Sequence, residues 1–187
     1  MKMKIEMYTS EYKKSMEDIC IATASERART QQRHHDFTLL MYCDEYLDHE
    51  KALMLMGEGK PVGYILCAEN YAQWKQNMAA YADKIEALGD PYPAHVRDAF
   101  EMYGAFAADY PAHMHIDILE KYTGGGNGTA LFLALAEMLK KDGVKGLMLG
   151  VDLHNKRAVS FYQKMGFAPL TDFGLMGLKL QKKAIHG

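Results

Sequence analysis

The chain has 187 residues, 49% of them hydrophobic and 25% charged, which suits one globular domain with a full core rather than a disordered segment. A formal net charge of -2 and a pI near 6.4 exclude a broad basic footprint for nucleic acid, while three widely spaced cysteines, Cys20, Cys43 and Cys67, indicate neither a disulfide framework nor a zinc site, so no metal is expected. No run approaches the roughly 18 apolar residues of a membrane helix, and MKMKIEMYTSEYKK lacks the apolar stretch of a secretory signal, so the expectation is a cytoplasmic protein with no membrane or nucleic-acid partner.

No repeat, low-complexity tract or linker divides residues 1–187, which are read as a single domain. Lys4 to Tyr8 alternates like a short strand, and Ser10 to Ser25 and Phe37 to His49 have helical composition, with ERARTQQRHH between them as loop. ALMLMGEGKPVGYILCA holds two apolar runs around Gly57-Glu58-Gly59-Lys60, the pattern of a hairpin with both arms buried. Residues from about 69 to 110 are rich in aromatics and read as two helices around the turn GDPYP. HMHIDIL is a strand with Met114, Ile116 and Ile118 on one face and His113, His115 and Asp117 on the other. A helix from about Gly128 to Lys141, a buried strand at LMLGV, a helix capped by Asn155 and ended by Gly166, and one or two closing strands within 170–180 complete the chain.

Between the HMHIDIL strand and the following helix lies TGGGNGT, with four glycines in five residues. Glycine costs conformational entropy on ordering, so such a run needs a reason. A Walker A loop needs Lys and then Ser or Thr after its last glycine, but Gly128 is followed by Thr129 and Ala130. A dinucleotide fingerprint needs a glycine where Thr129 stands. What remains is a row of unobstructed backbone amides at a helix N-terminus, suited to the phosphate or pyrophosphate of a cofactor.

Thr123-Gly124-Gly125-Gly126-Asn127-Gly128, followed by Asn155-Lys156-Arg157-Ala158-Val159-Ser160-Phe161-Tyr162-Gln163-Lys164-Met165-Gly166-Phe167, resembles the signature of the GCN5-related N-acetyltransferases (GNAT). YPAHMHIDIL and GVKGLMLGV are further similar to the acetyltransferase-like domain of O-GlcNAcases and its free-standing bacterial relatives. The resemblance implies an α/β (α+β) fold, with a central mixed, mostly antiparallel twisted sheet of six or seven strands flanked by helices. It makes residues from about 69 to 110 a helical insertion between strands 3 and 4, where the family has a short connection. It implies acetyl-CoA as co-substrate, its pyrophosphate held by Thr123, Gly124, Gly125, Gly126, Asn127, Gly128 and Thr129. The pantetheine arm would lie along Ile116 and Ile118, in contact with Asn155, and Tyr162 would protonate the departing thiolate. A basic or amide residue is usual where Thr123 stands, and a cation is common at Gly125. Lys121, Lys156 and Arg157 are neighbouring cations that either replace that charge or are ordinary surface residues.

An amine attacking a thioester must lose a proton, and the polar face of HMHIDIL offers Asp117, His115 and His113, the imidazoles having unperturbed pKa values of about 6.5. Structural hydrogen bonding is the alternative role for each. The insertion's Tyr71, Trp74, Tyr81 and Tyr103, with His113, are candidates for the wall of an acceptor pocket for a small-molecule or peptide amine; packing on the sheet, or on a second subunit of a homodimer, is the alternative. The favoured function is transfer of acetyl from acetyl-CoA to a primary amine by direct attack in a ternary complex. A non-catalytic acetyl-CoA-binding sensor or scaffold is the runner-up, and a dimeric interaction module with a vestigial site the third.

Overall fold

The computed structural model describes residues 3–180. Seven strands, β1 (Lys4–Met7), β2 (Lys51–Gly57), β3 (Lys60–Ala68), β4 (Ala112–Ile118), β5 (Gly146–Gly150), β6 (Ala168–Pro169) and β7 (Leu175–Lys179), form one sheet in the order β1-β2-β3-β4-β5-β7-β6. Every neighbouring pair is antiparallel except β4 and β5, which run parallel. The expected mixed, mostly antiparallel sheet is therefore present. The hairpin joining β2 to β3 turns through Glu58 and Gly59, both with positive φ (55° and 80°), as a tight two-residue turn requires.

Helices cover both faces of the sheet, which is why the two arms of the hairpin are almost continuously apolar. On one face α8 (Asn127–Lys141) buries Leu131, Phe132, Leu135 and Leu139 against Leu53, Leu55, Ile65 and Met114. On the other, α1 (Lys13–Thr23) places Met16, Ile19 and Cys20 against Met54, Tyr64 and Leu66. The strand face assignment for HMHIDIL holds: Met114, Ile116 and Ile118 pack with the α8 layer, while His113 meets the aromatic layer opposite. All three cysteines are free and buried. Among the described residues, no helix is long and apolar enough to cross a membrane.

ERARTQQRHH is not loop. Glu26–Thr30 forms α2 and Gln32–Leu39 forms α3. Ser25 caps α2 by accepting the Ala28 N–H at 3.3 Å, and the Arg29 guanidinium donates to the Ala22 and Ala24 carbonyls at the end of α1. These local polar bonds stabilise helix where the apolar pattern is faint. The helix continues through a wider π turn, Leu40–Asp44, into α4 (Glu45–His49). Such an extra residue in a helix re-aims the side chains around it.

The insertion between β3 and β4 holds three helices, not two: α5 (Tyr71–Asn77), α6 (Ala79–Leu88) and α7 (Tyr92–Phe106). The apolar spacing runs across the break at Met78, whose side chain is fully buried and whose N–H still reaches the Trp74 carbonyl at 2.7 Å, so the sequence reads as one helix. Trp74 anchors the insertion. It is 0% exposed and lies edge-on to Phe100, Tyr103 and His113, with ring centroids 5.5, 5.7 and 4.5 Å away. Truncation of so large a buried ring leaves a cavity that the surrounding helices cannot fill. Trp74→Ala is expected to lower stability by about 3–5 kcal/mol in urea unfolding followed by circular dichroism; a loss under about 1 kcal/mol would show that the insertion is held by something else.

Candidate active site

The site is built where β4 and β5 part. The two strands pair only at Ala112–Leu147 and His113–Met148. Beyond that point β4 continues to Ile118, paired on its other side with β3 as far as Gly63, and its edge toward β5 has no strand partner. Ile116 and Ile118 stand on that free edge, as the resemblance implies.

The glycine loop begins after a short turn at Glu120–Tyr122 that follows β4. Thr123 Oγ1 donates to the Glu120 carbonyl at 2.8 Å and Asn127 Nδ2 donates to the Tyr122 carbonyl at 2.9 Å, which staples the loop from both ends. Gly124, Gly125 and Gly126 have φ of 84°, 57° and 83°, and a Cβ there would meet no atom within 4 Å. Their glycine identity is thus set by backbone conformation and not by crowding. Asn127 and Ala130 donate to the Gly124 and Gly126 carbonyls. The amides of Gly124, Gly125, Gly126, Gly128 and Thr129 find no acceptor among the described residues. Five such amides at the N-terminus of a 15-residue helix make a cradle that fits a pyrophosphate. Lys121 is drawn aside by Glu58 at 3.7 Å, while Lys156 and Arg157 are exposed on α9 (Lys156–Lys164).

Asn155 caps α9, its Oδ1 accepting the Ala158 N–H at 3.1 Å. About two turns on, Tyr162 packs against the α8 layer beside Phe161 and Phe167. Burial, with the nearby charge of Asp117, pushes its phenol up to about 12. Tyr162 packs with the α8 layer, whereas Asp117 stands on the opposite face of β4, bonded to Tyr64. Tyr103 of α7 approaches the gap between β4 and β5: its ring stacks on His113 at 4.2 Å and its hydroxyl lies beside Gly150.

The polar face of β4 is organised by Tyr46, which sequence reasoning missed. Its hydroxyl lies 2.8 Å from His113 Nε2 and 3.0 Å from His115 Nε2. A hydroxyl has one proton to give, so one imidazole must accept it and the other must donate. Burial lowers the pKa of both histidines, His115 to about 4 and His113 well below the ordinary value, the latter with a contribution from His115. Both are therefore neutral at pH 7. Asp117 Oδ2 accepts from the Tyr64 hydroxyl at 2.7 Å, and burial raises its carboxyl against the pull of that bond and of Thr23.

Two adjoining cavities open at His115. The larger, about 710 Å³, is lined by Tyr42, Tyr46, Tyr103, His115, Gly150 and Phe173, among others. The smaller, about 370 Å³, reaches Asp117, Thr23 and His34 and shares Tyr42, His95 and His115 with the first. Of the aromatics proposed as pocket wall, Tyr103 alone lines either of these two cavities. Trp74 and His113 are fully buried in the core, Tyr71 donates its hydroxyl to the Phe100 carbonyl and packs on Gly104, and Tyr81 is tied to Asp48. Tyr71, Trp74 and His113 are therefore packing residues: the insertion turns Tyr71 and Trp74 inward, Trp74 onto His113 of β4, and presents a stripe of α7 to the cavity. The wall residues Tyr42, His95 and Phe173 carry no motif; the π turn, α7 and the loop before β7 place them in turn.

With this geometry in hand, relatives become informative. The family model described as the acetyltransferase (GNAT) family matches residues 20–167. The N-acetyltransferase YobR of Bacillus subtilis (strain 168), a protein of uncharacterised role, is 35% identical over 63 residues, which are 34% of this chain and 26% of that protein; the matched segment thus spans about a quarter of that relative. The crystal structure of SsHAT superimposes with a TM-score of 0.83 at 23% identity, over 97% of this chain and 100% of that one. That of the PaiA N-acetyltransferase from Thermoplasma acidophilum, in complex with coenzyme A, gives 0.58 at 16% identity over 96% and 99%. A match over most of the chain, on a sheet that parts beside a glycine-built amide cradle, identifies this protein as a member of the acetyltransferase (GNAT) family.

Proposed function

We propose that this chain transfers the acetyl group of acetyl-CoA to a primary amine by direct attack in a ternary complex. The observation that carries the reading is the cavity at His115 and Asp117, on the strand whose free edge leads to the row of unpaired amides; the part given to Tyr162 follows from the family resemblance. Acetyl-CoA, when bound, brings the thioester. The amides from Gly124 to Thr129 hold its pyrophosphate, and the free edge at Ile116 and Ile118 receives the pantetheine arm.

The amine nitrogen bonds to the acetyl carbon, the carbon–sulfur bond breaks, and two protons need partners. Tyr162, whose phenol stays protonated far above neutral pH, donates to the departing thiolate. His115 takes the proton from nitrogen, for which it needs a bare Nδ1. That fixes the tautomers: His115 Nε2–H donates to Tyr46, and Tyr46 O–H donates to His113 Nε2. Tyr46 and His113 are then positioning residues, which explains why a fully buried imidazole stands behind the reacting one. Asp117 stands two residues along the same face, its carboxyl raised by burial and bonded to Tyr64.

Thr129 occupies the third position of α8, where a glutamate favours the helix but repels a phosphate. Thr129→Glu is expected to leave Tm unchanged or raised while weakening acetyl-CoA more than about tenfold by calorimetry. Undiminished affinity would remove the cradle from the site.

Tyr162→Phe and His115→Ala should each lower kcat by about 10²-fold or more, with the acetyl-CoA Kd within about twofold. Because His115 loses its proton near 4, it is available throughout the neutral range, and the acid limb of the rate follows the acceptor's own ammonium. A limb near pH 6.5 that vanishes in His115→Ala would contradict this assignment. Tight binding of acetyl-CoA with no transfer to any amine would leave the protein a cofactor-binding domain.

A further inference from the structure

We infer that the acceptor is a small polycationic amine, its reacting nitrogen toward His115 and its second ammonium against Asp98 and Glu101 of α7. This rests on the acetyl-transfer reading above and specifies the substrate of the same site. The larger cavity, about 710 Å³, is of the size that takes a whole small molecule. The charges around it are of one sign. Asp98, Glu101 and Asp152 line it, and no lysine or arginine does. The smaller cavity, on the other side of His115, also lacks both and contains Asp117. In a chain whose net charge is only -2, this bias is local.

Asp152 is already engaged, accepting from the His154 backbone N–H at 2.9 Å and facing its Nδ1 at 3.0 Å. Asp98 and Glu101 make no ion pair or side-chain hydrogen bond among the described residues. They lie three residues apart on one face of α7, in the stripe that also turns His95, Met102 and Phe106 to the cavity. From His95 to Phe106 that stripe runs roughly 16 Å at about 1.5 Å per residue, long enough to span an extended aliphatic diamine.

The cavity changes character along its length. Its floor is uncharged, made of Tyr42, Tyr46, Tyr103 and the neutral His115. Met41, Met102 and Phe106 give an apolar passage suited to methylenes, and the two unpaired carboxylates stand exposed at the rim. Phe173, 68% exposed on the loop before β7, faces the same opening and offers a ring to a cation. An amine bearing a carboxylate or phosphate would set like charges together with no lysine or arginine in the lining to receive them.

The test compares the terminal diamine diaminopentane, the monoamine pentylamine and the ω-amino acid aminopentanoate. The expected kcat/KM for the diamine exceeds the monoamine by about tenfold and the amino acid by about a hundredfold. The double variant Asp98→Asn, Glu101→Gln should raise the diamine KM about tenfold with kcat within about twofold, and pull the diamine preference toward unity. Glu137→Gln, on the far surface of α8 where Glu137 pairs with Lys141 at 3.2 Å, should keep the preference. Equal turnover of aminopentanoate and the diamine, an unaltered preference in the double variant, or a lysine-rich peptide favoured more than about tenfold over the diamine would each overturn the inference. If no amine is acetylated, the transfer reading falls by itself; calorimetry of the three probes on protein saturated with CoA then decides selectivity, equal affinities overturning it.

Discussion

The short pairing of β4 with β5 is the constraint on which the rest depends. Two registered residues hold these parallel strands together, after which each follows a different neighbour: β4 stays with β3, and β5 stays with β7. An unpaired strand edge inside a protein leaves backbone donors and acceptors without partners, a state that is costly unless water or a ligand satisfies them. On the proposed reading, that edge is satisfied by the pantetheine arm of acetyl-CoA.

Tyr46 shows how a packing decision becomes a chemical one. The π turn before α4 lets one helix direct Tyr42 to the cavity and Tyr46 into the strand face beneath it. With a single hydroxyl proton between two neutral imidazoles, the hydrogen-bond direction at His113, deep in the core, is coupled to whether Nδ1 of His115 is bare or protonated. Trp74 and Tyr103 in turn hold His113 by edge-on and stacked contacts. The insertion therefore acts on the site twice: through the core, by fixing His113, and at the surface, by giving the cavity its α7 wall.

What was legible in the sequence follows the range of the interactions. The hairpin, the alternation of HMHIDIL, the glycine run and the Asn155 cap are local, and each stands in the structure within a residue or two of its expected place. ERARTQQRHH was misread because its helices are held by a serine cap and arginine-to-carbonyl bonds, which leave no apolar periodicity. The pocket wall was illegible for a different reason. Tyr71 and Trp74 have the same composition as Tyr42 and Tyr103, and only the packing of α5 and α7 across the sheet decides which aromatics face inward. Asp98 and Glu101 look like any solvated helix surface until α7 is set beside Gly150 and Val151.

The depressed basicity of His115 has its own logic. The environment that lowers the imidazole to about 4 disfavours any buried cation, and an amine brought to the same uncharged floor is pushed toward its neutral form as well. The proton that an ammonium carries in water is then shed before the nitrogen reaches the thioester. His115 need not compete with an aliphatic amine for that first proton. In the proposed reaction it would meet the nitrogen only as the new carbon–nitrogen bond forms, when the remaining N–H becomes acidic enough for a weak base to accept it. A carboxylate rim above a neutral floor sorts the two nitrogens of a diamine accordingly: the one that stays charged is held where carboxylates and water stabilise it, and the one that reacts is held where charge is not tolerated.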